Sequence, residues 1–207
     1  LARSLVESDT YGLINEPGLP APTRYPFGFP LLLAPIALLL PGTPDAMKML
    51  ALLATLANAT LLFWGWRAFH HTASFGWSLA VVGLYAVSPL VVEHTRMVMS
   101  EPVFLSFCLL MMILSEQAAR REDTGLWPLW MGATATLTVF TRTAGAVFLA
   151  TAVVYLLRMR GLGFLKQLMA ALGVSTLLTL VCVAVTPLEI RSLFPAEYAG
   201  LVASPTR

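Results

Sequence analysis

The sequence predicts an all-α fold: a polytopic transmembrane helical bundle with about six membrane helices and one short re-entrant or interfacial helix. Three observations predict it. Of 207 residues, 57% are hydrophobic and only 12% are charged, against about 25% charged in a usual soluble domain. Mean hydropathy is +0.77. The apolar residues also fall in long blocks, as bilayer spans require.

The elements follow in chain order. Leu1 to Tyr25 is polar and rich in Pro and Gly. Phe29 to Leu40 is apolar but only 12 residues long, too short to cross, so it reads as re-entrant or interfacial. Pro41-Gly42-Thr43-Pro44-Asp45 breaks it and caps the next helix. Met47 to Trp66, Gly76 to Val92 and Met97 to Ser115 read as spans, and Leu168 to Thr186 as the last one. Leu126 to Leu157 is 32 residues. As one helix it would be ~48 Å long against a hydrocarbon core of ~30 Å. It would also put Arg142 near the bilayer centre, at a cost of roughly 3 kcal/mol or more. Two short helices turning at Thr141-Arg142-Thr143-Ala144-Gly145 avoid both problems.

Residues 1–30 therefore read as part of a first extracytoplasmic loop, 31–187 as the transmembrane domain, and 188–207 as the start of a further extracytoplasmic segment. The chain opens at Leu1 in a polar stretch without an initiator Met, and the expectation is a piece of a longer protein. Loop charges set the orientation. Arg67, Arg120, Arg121, Arg158, Arg160 and Lys166 face three loop acids, Glu116, Glu122 and Asp123, for +3. The opposite loops hold seven cations and eight acids, for −1. The first set is assigned to the cytoplasm. The N-terminal segment, the 93–101 turn, the 141–145 turn and the C-terminal tail then share the outer side.

A net charge of +2 gives no footprint for nucleic acid. Cys108 and Cys182 sit inside apolar runs, far apart, and read as packed thiols. The adjacent His70 and His71 point in different directions on a helix and chelate poorly. No Gly-rich phosphate loop, nucleophile elbow or zinc-protease motif is present.

The outer side collects the chemistry. In Glu93-His94-Thr95-Arg96-Met97-Val98-Met99-Ser100-Glu101-Pro102, two acids, a His and an Arg lie between two spans. Ser100 reads as an N-cap and Pro102 as a first-turn residue. Glu101 then meets the positive end of a helix dipole. Its ordinary reading, like that of Glu93, is a helix-end charge. Arg142, between two apolar helices, needs an anion or carbonyl, or must reach water. A guanidinium matches phosphate oxygens bidentately, so a phosphate or pyrophosphate is one partner. A structural salt bridge to Glu101 or Glu93 is the other. Arg24-Tyr25-Pro26-Phe27-Gly28-Phe29-Pro30 sets an extended turn. Its aromatics suit the headgroup layer, and Arg24 is placed to meet a lipid phosphate.

These stretches together resemble the GT-C superfamily of membrane glycosyltransferases, most nearly the branch with protein O-mannosyltransferases and lipid A aminoarabinose transferases. Leu1-Ala2-Arg3-Ser4-Leu5-Val6-Glu7 looks like the end of the juxtamembrane helix in the first outer loop. Tyr25-Pro26-Phe27-Gly28-Phe29-Pro30-Leu31-Leu32 resembles the Pro-rich approach to the next apolar segment. Met99-Ser100-Glu101-Pro102 resembles the acid that opens a later span, and Thr141-Arg142-Thr143-Ala144-Gly145 the Thr-Arg turn. The resemblance covers almost the whole chain, as order and spacing rather than as one sharp motif. It implies transfer of a sugar from a polyprenyl-phosphate carrier to a lipid, glycan or protein acceptor on the extracytoplasmic face, usually with inversion. It makes Arg24, Arg96 and Arg142 candidates for the donor phosphate, Glu101 a supporting catalytic residue, and Tyr25, Glu93 and His94 candidates for lining the site. No metal ligand is assigned, and a divalent metal stays open as a cofactor.

Two other classes compete. A transporter or lipid flippase also fits polytopic topology and broken helices, and a non-catalytic assembly subunit needs no chemistry from Arg142 or Glu101. In the resembled family the main catalytic acid lies just upstream of the segment matched by Leu1 to Glu7. The 207-residue chain by itself is therefore expected to be inactive, and sugar transfer by the purified chain would contradict that expectation.

Overall fold

The side chains that dominate this sequence favour helix, and helix is what forms. The computed structural model describes residues 28–41, 43–70, 74–120 and 126–185, together with Ala2 and Val6, which are both helical. Most of the N-terminal segment through Phe27 lies outside the described residues, as do all residues after Val185. Among the described residues the structure is all-α, as the composition predicts.

The short apolar segment forms α1, Gly28–Leu39. Thr43 ends the following turn, with its hydroxyl donating to the Leu40 carbonyl at 2.8 Å, and α2 runs Pro44–Phe69. Proline fits the first turn of α2 because its missing N–H has no partner to lose there. Helices α3 (Phe75–Ala86) and α4 (Pro89–Arg96) follow. Next come α5 (Glu101–Arg120), α6 (Trp127–Thr141) and α7 (Gly145–Arg160). A 3-10 turn at Gly161–Phe164 leads into α8, Leu165–Val185. Gly161 has φ of +61°, a backbone state that costs glycine little, and it ends α7.

Two helices, Asp45–Phe69 and Glu101–Arg120, are long and apolar enough to cross a membrane. The pair Phe75–Ala86 and Pro89–Arg96 makes a third if a bend of 57° is allowed within one span. That is fewer than the six expected from the sequence, and the reasons are local. Gly76 to Val92 breaks because Pro89 forces Ser88 into an extended state, φ −62° and ψ 122°. The helix expected from Met97 starts later, at Glu101, because Met97 is extended. It runs on to Arg120, beyond Ser115. The 126–157 stretch splits at Arg142, as expected. Its halves of 15 and 16 residues are each only ~22–24 Å long.

Register fixes which ends meet. Asn58 bonds to Pro102 and Gly65 faces Ile113, so α2 and α5 run parallel. Glu101 meets Arg142, Phe104 meets Phe148, and Glu116 meets Tyr155, so α5 and α7 also run parallel. Gly132 lies against Ala171 and Val174, and Thr136 against Ser175, which makes α6 and α8 parallel. The α3 helix runs back along α2, through Asn58–Tyr85 and Phe63–Phe75. All these helices therefore share two common ends.

The core lies between α5, α6, α7 and α8, with Met111, Leu114, Met131, Ala135, Leu156 and Leu168 in it. Large apolar side chains such as Leu53, Leu84, Val147 and Leu177 are exposed on the outside. Small residues set the helix spacing. A Cβ added at Gly132 would lie 2.4 Å from the Ala171 carbonyl oxygen and 2.8 Å from Val174 Cβ. Around it the Thr136 hydroxyl donates to the Gly132 carbonyl at 2.9 Å and pairs with Ser175 Oγ at 2.9 Å. Small and hydroxylated residues at such crossings let backbones approach where hydrophobic force between helices is weak. Gly132→Ala is expected to lower stability in detergent by about 1–3 kcal/mol through overpacking. Gly173→Ala, which meets open space in α8, is expected to be neutral or to stabilise by up to about 1 kcal/mol. Equal denaturation midpoints for the two variants would show that α6 and α8 are not packed this closely.

Candidate functional site

Glu101 is the first residue of α5, and Pro102 follows it. The Ser100 carbonyl accepts the first helical bond, from Phe104 N at 2.8 Å. Pro102 removes one donor that would have had no partner. The Glu101 carboxylate therefore sits by the positive end of the α5 dipole.

Arg142 is placed by the break between α6 and α7. The Thr141 hydroxyl turns back onto the Leu137 carbonyl at 2.6 Å, and Arg142 itself is extended, with φ −152° and ψ 138°. Its N–H bonds to the Thr138 carbonyl at 3.1 Å, and its carbonyl accepts from Gly145 N at 2.9 Å. Gly145 is needed at that point, since a Cβ there would lie 2.6 Å from the Thr138 oxygen. This tight connection aims the guanidinium at α5. Arg142 Nη1 donates to Glu101 Oε1 at 2.6 Å. The guanidinium carbon also lies 5.9 Å from the centre of the Phe104 ring, and Phe104 packs edge-on against Phe148. Of the two carboxylates open to Arg142 from the sequence, Glu101 is the partner. Both side chains remain more than a third exposed, at 40% and 37%, so the pair can be reached from outside.

The α1 helix closes on the same place. Gly28 abuts the Phe140 backbone so tightly that a Cβ would lie 2.4 Å from the Phe140 oxygen. Three stretches far apart in sequence, 25–32, 99–102 and 141–145, therefore meet through Gly28, Glu101 and Arg142. Arg24 and Tyr25 of the first stretch lie outside the described residues. Glu93, His94 and Arg96 are on α4, with Glu93 and Arg96 exposed and His94 half-buried. Among the described residues no ion pair joins them to Glu101 or Arg142. No three His, Cys, Asp or Glu side chains gather as a metal site among the described residues.

No protein-family model, curated protein or solved structure matches the chain.

One buried polar residue behind the site, Asn58, has no role in the sequence pattern. Asn58, on α2, is fully buried. Its Nδ2 donates to the Pro102 carbonyl at 2.9 Å and to the Tyr85 hydroxyl at 3.2 Å. Ser106 Oγ reaches the same Pro102 carbonyl at 3.0 Å. These bonds pin the first turn of α5 to α2 and α3, one residue from Glu101. The available signal was an Asn inside an otherwise apolar span. Glu116 needs correction. As a loop acid it would be solvated, but α5 continues past it and Glu116 is buried. Its carboxylate accepts from Arg120 Nε and from the Tyr155 hydroxyl. Arg120 lies four residues on, at helical spacing, which was the clue. Cys108 is free and buried. The exposed His70 packs its ring on Trp66 at 4.5 Å, and His71 lies outside the described residues.

Because the Arg142–Glu101 pair is partly exposed, its coupling is expected to be modest. A double-mutant cycle of Arg142→Ala and Glu101→Gln, read by unfolding in detergent, should give about 0.2–1 kcal/mol. Strictly additive losses would show that the two side chains do not act as a pair.

Proposed function

We propose that the chain belongs to an integral membrane glycosyltransferase that moves a sugar from a polyprenyl-phosphate carrier to an acceptor on the extracytoplasmic face. The observation that carries this reading is the Glu101–Arg142 pair. Two stretches that resemble the GT-C pattern, 41 residues apart, meet there at 2.6 Å, and Gly28 of a third packs alongside. In this reading the helices cross a bilayer, the shorter ones α6 and α7 among them, and the pair faces the extracytoplasmic side.

The chemistry asks for two things. A leaving phosphate must be stabilised as charge develops, and an acceptor hydroxyl must lose its proton. A guanidinium offers five N–H donors in a planar fork. Glu101 takes one of them through its Oε1, which holds the guanidinium beside the start of α5 and leaves other N–H groups for phosphate oxygens. Glu101 thus acts through Arg142 and is a positioning residue. Arg24 and Arg96 are further candidates for the donor phosphate, and Tyr25, Glu93 and His94 for lining the site. The resemblance assigns the principal base to a loop acid upstream of the Leu1 segment. A divalent metal stays open.

A second reading, a transporter or lipid flippase, is favoured by the 57° break between α3 and α4, since broken helices often frame transport sites. It predicts movement of substrate across vesicles without covalent change. The enzyme reading predicts that Arg142→Ala in the complete protein lowers sugar transfer on the order of 10²–10³-fold, the usual loss for one donor to a developing anion. Glu101→Gln should cause a comparable loss, with expression and helicity kept in both. Near-normal turnover in both variants would sink this site assignment.

A further inference from the structure

The chain has five tryptophans, Trp64, Trp66, Trp77, Trp127 and Trp130. Helix register gathers all five at one end. Trp64 and Trp66 lie in the last turns of α2, Trp77 in the first turn of α3, and Trp127 and Trp130 in the first turn of α6. Trp64, Trp77 and Trp130 are exposed, at 61%, 66% and 56%.

The same end carries Arg67 at the end of α2, Arg120 at the end of α5, Arg158 and Arg160 at the end of α7, and Lys166 at the start of α8. Among the described residues its only carboxylate is Glu116, which is buried and bonded to Arg120 and Tyr155. The sequence between α5 and α6 adds Arg121, Glu122 and Asp123, leaving six cations against three acids, +3. The opposite end differs. Its described charges are Asp45, Glu93 and Glu101 against Lys48, Arg96 and Arg142, which cancel, and it has no tryptophan.

Two independent features thus mark one end. Indole rings settle at the headgroup level of a bilayer because one edge is apolar and the other donates a hydrogen bond. Lysine and arginine stems lie along apolar surface while their charged heads reach outward. Near a leaflet of anionic lipid each such cation favours binding by roughly fivefold. Arg67, Arg158 and Lys166 are exposed. Glu116 is paired with Arg120 rather than with any of these three.

We propose that this end is a binding surface for anionic lipid headgroups, contacted by Arg67, Arg158 and Lys166, with the exposed Trp64, Trp77 and Trp130 anchored in the same layer. The proposal rests on the reading that the helices cross a bilayer, and it adds the lipid class and the residues.

Because every tryptophan lies at this end, intrinsic emission reports the lipids around it. The protein is reconstituted in phosphatidylcholine vesicles containing a minor fraction of phosphatidylserine. Two matched preparations carry bromine on the acyl chains of one lipid or of the other. The expected result is several-fold stronger quenching per mole by brominated phosphatidylserine. The combined variant Arg67→Gln, Arg158→Gln and Lys166→Gln should bring that ratio to about one. Raising the ionic strength from ~0.1 M to ~1 M should shrink it in the unsubstituted protein, since screening shortens from ~10 Å to ~3 Å. If the combined variant fails to insert, this salt titration carries the test. Equal quenching by both lipids in the unsubstituted protein would overturn the proposal and leave the membrane reading standing. A ratio unchanged in an inserted combined variant would overturn the residue assignment. Absence of quenching by either lipid would overturn the membrane reading as well.

Discussion

A guanidinium at a break between two short apolar helices has to be neutralised, and much of the architecture answers that need. Arg142 lies where α6 stops and α7 starts. Its partner Glu101 is the first residue of α5, so one ion pair at 2.6 Å joins three helix ends. Neither helix end could rotate far without separating the charges. The pair is more than a third exposed, so its own coupling is modest, and the packing around it keeps the two ends together. The Glu101 end of α5 is in turn held by Asn58, which bonds the Pro102 carbonyl from a fully buried position. The ion pair therefore rests on a hydrogen-bonded support, which itself depends on α2 and α3 being in register.

Such support is possible only if the helices come close. Gly28, Gly132 and Gly145 each lie where an added Cβ would strike a backbone oxygen at 2.4–2.6 Å. Threonines 134, 136, 138 and 141 are buried along α6. Those at 136, 138 and 141 return their hydroxyls to their own helix, so their polarity is satisfied without a gap. Gly28 and Gly145 close on the Arg142 break, and Gly132 closes α6 on α8 below it. Packing and charge placement are thus one constraint at this end of the bundle.

Part of this was legible in the sequence. The all-α character follows from composition. The break at Arg142 follows because a single 32-residue helix is too long and would strand a charge. The start of a helix at Glu101-Pro102 follows from proline's position. The fracture before Pro89 had its cause in plain view, yet hydropathy bridges it, because Val87 and Leu90 are as apolar as a continuous span requires. Glu116 escapes the hydropathy pattern for a related reason. A fall in hydropathy marks the end of an apolar block, but the backbone continues as helix when a charged residue finds partners inside. Tyr155, 39 residues away, supplies one, and no local pattern announces it. The choice of Glu101 over Glu93 for Arg142 was equally beyond local pattern. It depends on α5 and α7 running parallel, which is a property of the assembled bundle.

The two charged contacts of α5 tie it at one end to the Arg142 break and at the other to α7. Glu101 and Glu116 lie fifteen residues apart, ~22 Å along a helix. The first holds Arg142, just before α7, and the second holds Tyr155 within α7. Between them the interface is apolar, with Met111 and Leu114 of α5 in one core with Ala152 and Leu156 of α7. A pair of parallel helices fastened at both ends resists sliding, because a shift by one turn, ~5.4 Å, would break both fastenings together. The lower fastening also consumes the buried carboxylate of the basic end.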